Sequence, residues 1–210
     1  MKIALIYSFN ESNWFSCTKI VKNLLHSYEI ALRDHEIIRV NYNFEDPYFS
    51  LGDSINILGE HKPEKIIIID HKPHPIDLFQ KMEQELGGYS PEIFVHICGD
   101  FSLNLKKWIN ASSFLKSKKI KFFCASDAQL ELVSSCVKEG GAMISKIPFP
   151  VDTKEFKFIK QQKKRIANQF NLDEKGLTFL YTGRLSSQKK IIELIETFSN
   201  AILTKKIEAN

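Results

Sequence analysis

Short apolar runs recur along the chain, separated by longer segments in which apolar residues return every three or four positions. The runs are residues 2–8 (KIALIYS), 36–41 (EIIRVN), 65–70 (KIIIID), 92–98 (EIFVHIC), 119–125 (KIKFFCA) and 142–147 (AMISKI), with a later one at 177–181. KIIIID does not alternate, which predicts a parallel strand covered on both faces. Between the runs, residues 16–32 set Ile20, Val21, Leu24, Leu25 and Tyr28 at helical spacing. Residues 77–86 carry Leu78, Met82 and Leu86 on one face, and residues 127–139 repeat Leu130, Val133 and Val137 after Ser126, a good N-cap. Strand and helix alternating in this way predict an α/β protein with a Rossmann-like, doubly wound parallel sheet.

The pattern changes after Pro148. Pro148 and Pro150 bracket a turn, VDTKEFKF follows, and residues 160–170 read as a polar, basic helix. This marks a domain boundary. The expected organisation is a first domain over 1–153, a linker over 154–176 and the incomplete start of a second domain over 177–210. One strand and one helix bury too little surface to form a core alone.

Composition narrows the class. Hydrophobic residues make up 43% and charged residues 26% of 210, which fits an ordered globular protein and not a disordered one. A net charge of +4 is milder than the basic field of a nucleic-acid binder, so no nucleic-acid partner is expected. The four cysteines form no CxxC pair and the histidines complete no zinc pattern, so reduced, buried thiols and no metal are expected. The N-terminus lacks a full signal-peptide core, and no apolar stretch is long enough to span a membrane. A cytoplasmic location is the expectation.

The chemistry concentrates in FLYTGRLSSQKKIIELIETF, residues 179–198. An apolar run ends at Thr182-Gly183, Arg184 follows, and Lys189 comes five residues later. Gly183 frees the backbone to turn close to a ligand. Ser186 or Ser187 is placed to cap a helix starting near Gln188, with Ile191, Ile192, Leu194, Ile195 and Phe198 on its buried face. A helix N-terminus favours an anion, and an Arg fork beside a Lys charge suits a diphosphate. On chemistry alone, an ordinary turn bearing surface Arg and Lys fits as well.

These residues resemble a family. Gly-Arg-Leu, three residues and then Lys, after an apolar strand and before an Ile-Glu-x-x-x-x-Phe helix, resembles the donor-domain start of group 1 (retaining, GT-B fold) glycosyltransferases. Upstream, IPFPVDTKEF is similar to that family's interdomain P-N-G-V-D-x-x-x-F element. Pro148, Asp152 and Phe156 match, while Phe149 and Pro150 replace Asn and Gly. CASDAQLELV, residues 124–133, resembles the preceding strand-Ser-helix.

The resemblance implies two Rossmann-like domains facing a cleft. The first binds a glycan or lipid-linked acceptor, and the second binds a nucleotide-sugar with Gly183, Arg184 and Lys189 on its diphosphate. Transfer proceeds with retention, with no cofactor beyond the donor as substrate and no metal required. The family's downstream glutamate pair, which holds the ribose, has no counterpart here, so a fragment is expected and efficient catalysis by this chain alone is not.

Ligands of open α/β sheets sit beyond the carboxyl ends of the strands. In the first loop, FNESNWFS, no glycine is present; Asn10, Ser12 and Asn13 can hydrogen-bond a sugar and Trp14 can stack on one, or the loop is simply polar with an anchoring aromatic. Asp100 stands near where the family closes its fourth strand with His-Asp, and is either a catalytic acceptor of a hydroxyl proton or a helix cap. His96 reads as a core histidine. His71 and His74 read as imidazoles of a Pro-rich loop, and His71 and Ser126 join the substrate-contact candidates. Lysines from Lys106 to Lys121 interleave with Leu105, Trp108, Ile109, Phe114 and Leu115. That mix suits either peripheral contact with the inner membrane face or a solvated basic face over a core. A non-catalytic glycan- or protein-binding relative, or another α/β nucleotide-binding protein, stands beside the transferase reading; the lack of GxGxxG or a P-loop lowers the last of these.

Overall fold

The computed structural model describes the chain except residues 9–14, 43–46, 70–73, 118–119, 138–141, 158, 160–161, 173–178, 184 and 205–210. The side chains of residues 15–17, 47–50, 74–75, 113, 116–117, 163 and 188 are likewise outside the description. It divides into two compact units, Met1–Asp152 and Thr153–Asn210.

The first unit is a six-stranded, all-parallel sheet flanked by helices. Its strands are β1 (Lys2–Tyr7), β2 (Glu36–Asn41), β3 (Lys65–Ile69), β4 (Glu92–His96), β5 (Lys121–Cys124) and β6 (Met143–Lys146). The helices between them are α1 (Phe15–Ala31), α2 (Pro47–His61), α3 (His74–Glu85), α4 (Leu105–Asn110), α5 (Ser112–Ser117) and α6 (Asp127–Val137), with a 3-10 turn at Phe101–Asn104. The sheet order is β2-β1-β3-β4-β5-β6.

The continuous apolar runs follow from this layering. In β1, Ala4 and Ile6 join one core cluster, and Ile3, Leu5 and Tyr7 join the other. In β3, Ile66 and Ile68 face the first cluster while Ile67 and Ile69 face the second. A strand buried on both sides leaves no position for polar alternation. The outer strand β2 does alternate: Ile38 and Val40 are buried, and Arg39 is exposed and paired with Glu29 at 2.6 Å.

Helical spacing also maps onto burial. Val21, Leu24 and Leu25 of α1 are buried with Ile20 and Tyr28 packed beside them; Leu78 and Met82 of α3 and Val133 and Val137 of α6 belong to the opposite cluster. At the amino-terminal edge of the sheet, Glu92 meets Lys65 at 3.1 Å and also pairs with Lys121. Hydrogen bonding from Lys121, then from Lys65, holds the Glu92 carboxyl below the usual carboxylate range.

The second unit contains α7 (Gln162–Gln169), a 3-10 turn at Ser187–Lys189 and α8 (Ile191–Leu203). Among its described residues only Ala167 is buried. Two expectations fail here. Residues 179–181 form no strand, and Phe179 and Leu180 are 56% and 83% exposed. The apolar face expected to be buried on α8 is open: Ile192 is 73% exposed, Leu194 49% and Ile195 59%, with Ile191 and Phe198 only partly covered. A strand needs a neighbour to pair its amides, and an apolar helix face needs an opposing surface; neither is present among this unit's described residues. Phe179 does meet Phe198 edge-on, with ring centroids 4.9 Å apart.

Candidate functional site

The chain runs outward from β1 to β2, then returns to place β3 on the other side of β1. This reversal is the switch point at which open α/β sheets leave a crevice beyond the carboxyl ends of the strands. Ser8 closes β1 and is buried. The candidates Asn10, Asn13, Trp14 and His71 belong to the segments that follow β1 and β3, and lie outside the described residues.

The described part of the carboxyl edge is built by β4, β5 and β6. Asp100 follows β4 and is exposed; its Oδ1 accepts from the Ser102 backbone N–H at 3.0 Å and from the Ser102 hydroxyl at 2.6 Å. It therefore caps the 3-10 turn at Phe101–Asn104. Of the two roles read for Asp100, the cap is the one present in the geometry.

Ser126 follows β5, and its Oγ accepts from the Gln129 N–H at 3.2 Å, as expected of an N-cap. Gln129 was not singled out by sequence reasoning, yet it ties the edge together. Its Oε1 accepts from the Ala125 N–H at 2.7 Å, and its Nε2 donates to the Gly99 carbonyl at 2.9 Å. Asp100 and Ser126 are thus held on neighbouring strand ends through one amide. The signal available in sequence was the S-x-x-Q spacing of a capping box, which predicts the local bond but not the reach to β4. Lys146, ending β6, pairs with Asp127 at 2.6 Å. Substituting Gln129→Ala leaves the Gly99 carbonyl and the Ala125 N–H without these partners. It should lower stability by about 1–2 kcal/mol in urea unfolding. The isosteric acid Gln129→Glu, which cannot donate when ionised, should lose only the Gly99 bond and fall between the two.

Beneath this edge lies His96, 1% exposed. Its Nδ1 is 2.8 Å from the Tyr28 hydroxyl of α1. Phe149, in the segment after β6, stacks on the ring with centroids 6.2 Å apart, and Phe123 meets it edge-on. Among the described residues no group meets Nε2 at direct hydrogen-bond geometry. Burial pushes the imidazole pKa down to about 4, and the Ile147 backbone opposes this only in part. His96 is a core histidine, as its place within β4 suggested, and its neutral ring packs with aromatic neighbours.

The thiols follow the expected pattern where they are described. Cys98, Cys124 and Cys136 are buried and outside any disulfide, and burial lifts the Cys124 thiol to about 11, far from a reactive thiolate. The side chain of Cys17 lies outside the described residues. Among the described residues no cluster of three His, Cys, Asp or Glu is placed to hold a metal ion. No helix among them is long and apolar enough to cross a membrane.

The described residues of the lysine-rich segment do not form one face. Lys106 and Lys107 are exposed on α4, whereas Lys121 is drawn to Glu92 at the amino-terminal edge. Of the apolar residues read beside them, Trp108 and Leu115 are fully buried core, Leu105 and Phe114 are half-buried, and Ile109 is exposed. The side chain of Lys116, and Lys118 and Lys119, lie outside the described residues.

In the second unit, Gly183 and Lys189 are described and Arg184 is not. A Cβ on Gly183 would come within 2.6 Å of the Tyr181 hydroxyl, so the tyrosine ring occupies the space that the missing side chain leaves. Lys189 ends the 3-10 turn, exposed. Lys190 then adopts a left-handed conformation (φ 50°, ψ 43°), and α8 begins at Ile191, later than the expected start near Gln188. Neither Ser186 nor Lys190 supplies a side-chain cap to the element it precedes.

No protein-family model matches the chain, and no curated protein matches it. Among solved structures, one similar chain is a protein provisionally assigned as a transcriptional regulator from Clostridium difficile 630. The two share 12% identity at a TM-score of 0.30, over 81% of this chain and 55% of that one.

Proposed function

We propose that this chain is the acceptor side and the beginning of the donor side of a glycosyltransferase, which moves a glycosyl group from a nucleotide-sugar to an acceptor hydroxyl with retention. The observation that carries the reading is the order of three segments along the chain: CASDAQLELV, IPFPVDTKEF, and Gly183-Arg184-Leu185 with Lys189 ahead of an apolar helix. The sheet is compatible with such a role, because open parallel sheets bind ligands beyond the carboxyl ends of their strands, where Ser8, Asp100 and Ser126 stand in the chain. In this reading Arg184 grips the donor diphosphate as a fork and Lys189 adds a point charge. Both contacts strengthen as the diphosphate leaves and its charge grows.

Calorimetric titration with UDP-, GDP- and ADP-sugars tests it. Arg184→Ala and Lys189→Ala should each weaken donor binding about tenfold or more. Donor affinity unchanged in both variants overturns the reading.

A second reading is a non-catalytic module that binds a glycan or a protein. It is favoured by the first loop, FNESNWFS, which has no glycine to bring backbone close to a donor, and by the use of Asp100 as a cap. Transfer or hydrolysis of a sugar nucleotide by the chain counts against it; absence of binding to every donor counts for it.

A further inference from the structure

The 3-10 turn at Phe101–Asn104 and the following α4 present two contrasting faces. The inner one is rigidly seated: Phe101 and Trp108 are buried and stacked with centroids 5.0 Å apart, and Trp108 meets Phe122 edge-on at 6.0 Å. The outer one carries Leu103, 72% exposed, and Ile109, 49% exposed, with the exposed Lys106 and Lys107 between them in sequence. These four side chains line an open groove of about 550 Å³ that contains no carboxylate in its walls. Among the described residues Asp100 is held by Ser102, and Asp77 meets Lys107 at 3.9 Å, a long ion pair that a lipid phosphate would replace.

Single exposed aliphatic residues are ordinary on protein surfaces. Two of them beside two lysines, on a platform anchored by buried aromatic rings, are not explained by packing. We propose that this face docks on an anionic lipid bilayer, with Leu103 and Ile109 entering the acyl boundary and Lys106 and Lys107 meeting the lipid phosphates. The size of the patch favours lipid over protein. A specific protein interface buries roughly 800 Å² on each partner, far more than two side chains and a short turn offer. A bilayer closes around small insertions, and lysine stems lie along the apolar boundary while their ammonium groups stay in the headgroup layer. The proposal stands apart from the transferase reading, since it uses none of the donor or acceptor residues.

Sedimentation of the full chain with phosphatidylglycerol–phosphatidylcholine vesicles, and with pure phosphatidylcholine vesicles, tests it. Binding should appear with the anionic vesicles only and weaken as salt is raised. Lys106→Glu with Lys107→Glu should lower the partition coefficient about tenfold or more, because each cation near an anionic surface adds several-fold to binding. Leu103→Ser with Ile109→Ser should also lower it about tenfold while preserving the salt dependence. Lys164→Glu, at an exposed lysine in the second unit, should leave binding unchanged. All substituted side chains are exposed, and circular dichroism checks that the variants fold. No binding to anionic vesicles, equal binding to both vesicle types, wild-type binding by either double variant, or an equal loss in Lys164→Glu overturns the proposal.

Discussion

Replacing Trp108 by alanine should destabilise the first unit by about 3–4 kcal/mol, the largest single-residue effect expected in this protein. The indole is 0% exposed, stacks on Phe101 and meets Phe122 edge-on. It fastens α4 at a point where α4 also packs on α6. Truncation removes the buried area and leaves a cavity that sheet and helix close only partly. One feature moderates the loss. Trp108 Nε1 is buried without a hydrogen-bond partner among the described residues, so the substitution also removes a donor that costs about 1–3 kcal/mol to bury unpaired. This places the effect toward the lower part of the usual Trp→Ala range. Trp108→Phe keeps a stacking ring and removes the N–H, and should cost less than about 2 kcal/mol. Urea unfolding followed by circular dichroism measures both. Equal losses for Ala and Phe would show that ring stacking contributes nothing here.

Acidification from neutral pH toward pH 4 should destabilise the protein through His96, by up to about 3 kcal/mol for a folded-state pKa near 4 against 6.5 unfolded. The folded ring stays neutral because burial among Tyr28, Phe123 and Phe149 disfavours the charged form, and no carboxylate is among its ring and hydrogen-bond contacts in the described residues. Between those two values the unfolded chain binds the proton more readily. The stability is therefore fully present above about pH 6.5 and is lost as pH falls toward 4. His96→Phe removes the titrating group and keeps the aromatic packing. Carboxylate titration is common to wild type and variant, so the difference in their unfolding free energies isolates the histidine. That difference should shift in favour of the variant as pH falls through this window. A difference that stays flat from pH 7 to 4 rules the assignment out.

How much was legible in the chain differs by element. The buried parallel strand is the clearest case: KIIIID reads as covered on both faces for want of polar alternation, and β3 is an inner strand buried on both sides; β1 proved to be so too. Helix α2 carries no comparable signal. Its segment, PYFSLGDSINILGEH, includes Gly52 and Gly59, residues that disfavour helix. At Gly59 an added Cβ would come within 2.9 Å of Leu86 Cδ2, so the glycine reflects close packing beside Leu86, after the end of α3. Conversely, residues 177–181 read as a strand by composition, yet the described residues of that run, 179–181, form none.

The site shows the same division. The lysine-rich stretch reads as a membrane-contacting surface or as a solvated basic face over a core; Trp108 and Leu115 turn inward beneath the exposed Lys106 and Lys107, while Lys121 pairs with Glu92. Asp100 was read as catalyst or cap from its place at a strand end; the two bonds to Ser102 come from the turn that follows.

By itself, the sequence determined the alternation of strands and helices, the double burial of β3, the N-cap at Ser126, and the change in character near Pro148. All of these depend on neighbours a few residues apart, where periodicity and local hydrogen bonding decide the outcome. Only the tertiary structure decided the sheet order and switch point, the seating of His96 between Tyr28 and Phe149, the Gln129 bridge to Gly99, and which of Leu103, Lys106, Trp108 and Ile109 face outward. Those depend on contacts between residues up to 68 positions apart, as between Tyr28 and His96. Such contacts form only when the layers close over one another, and no local pattern encodes them.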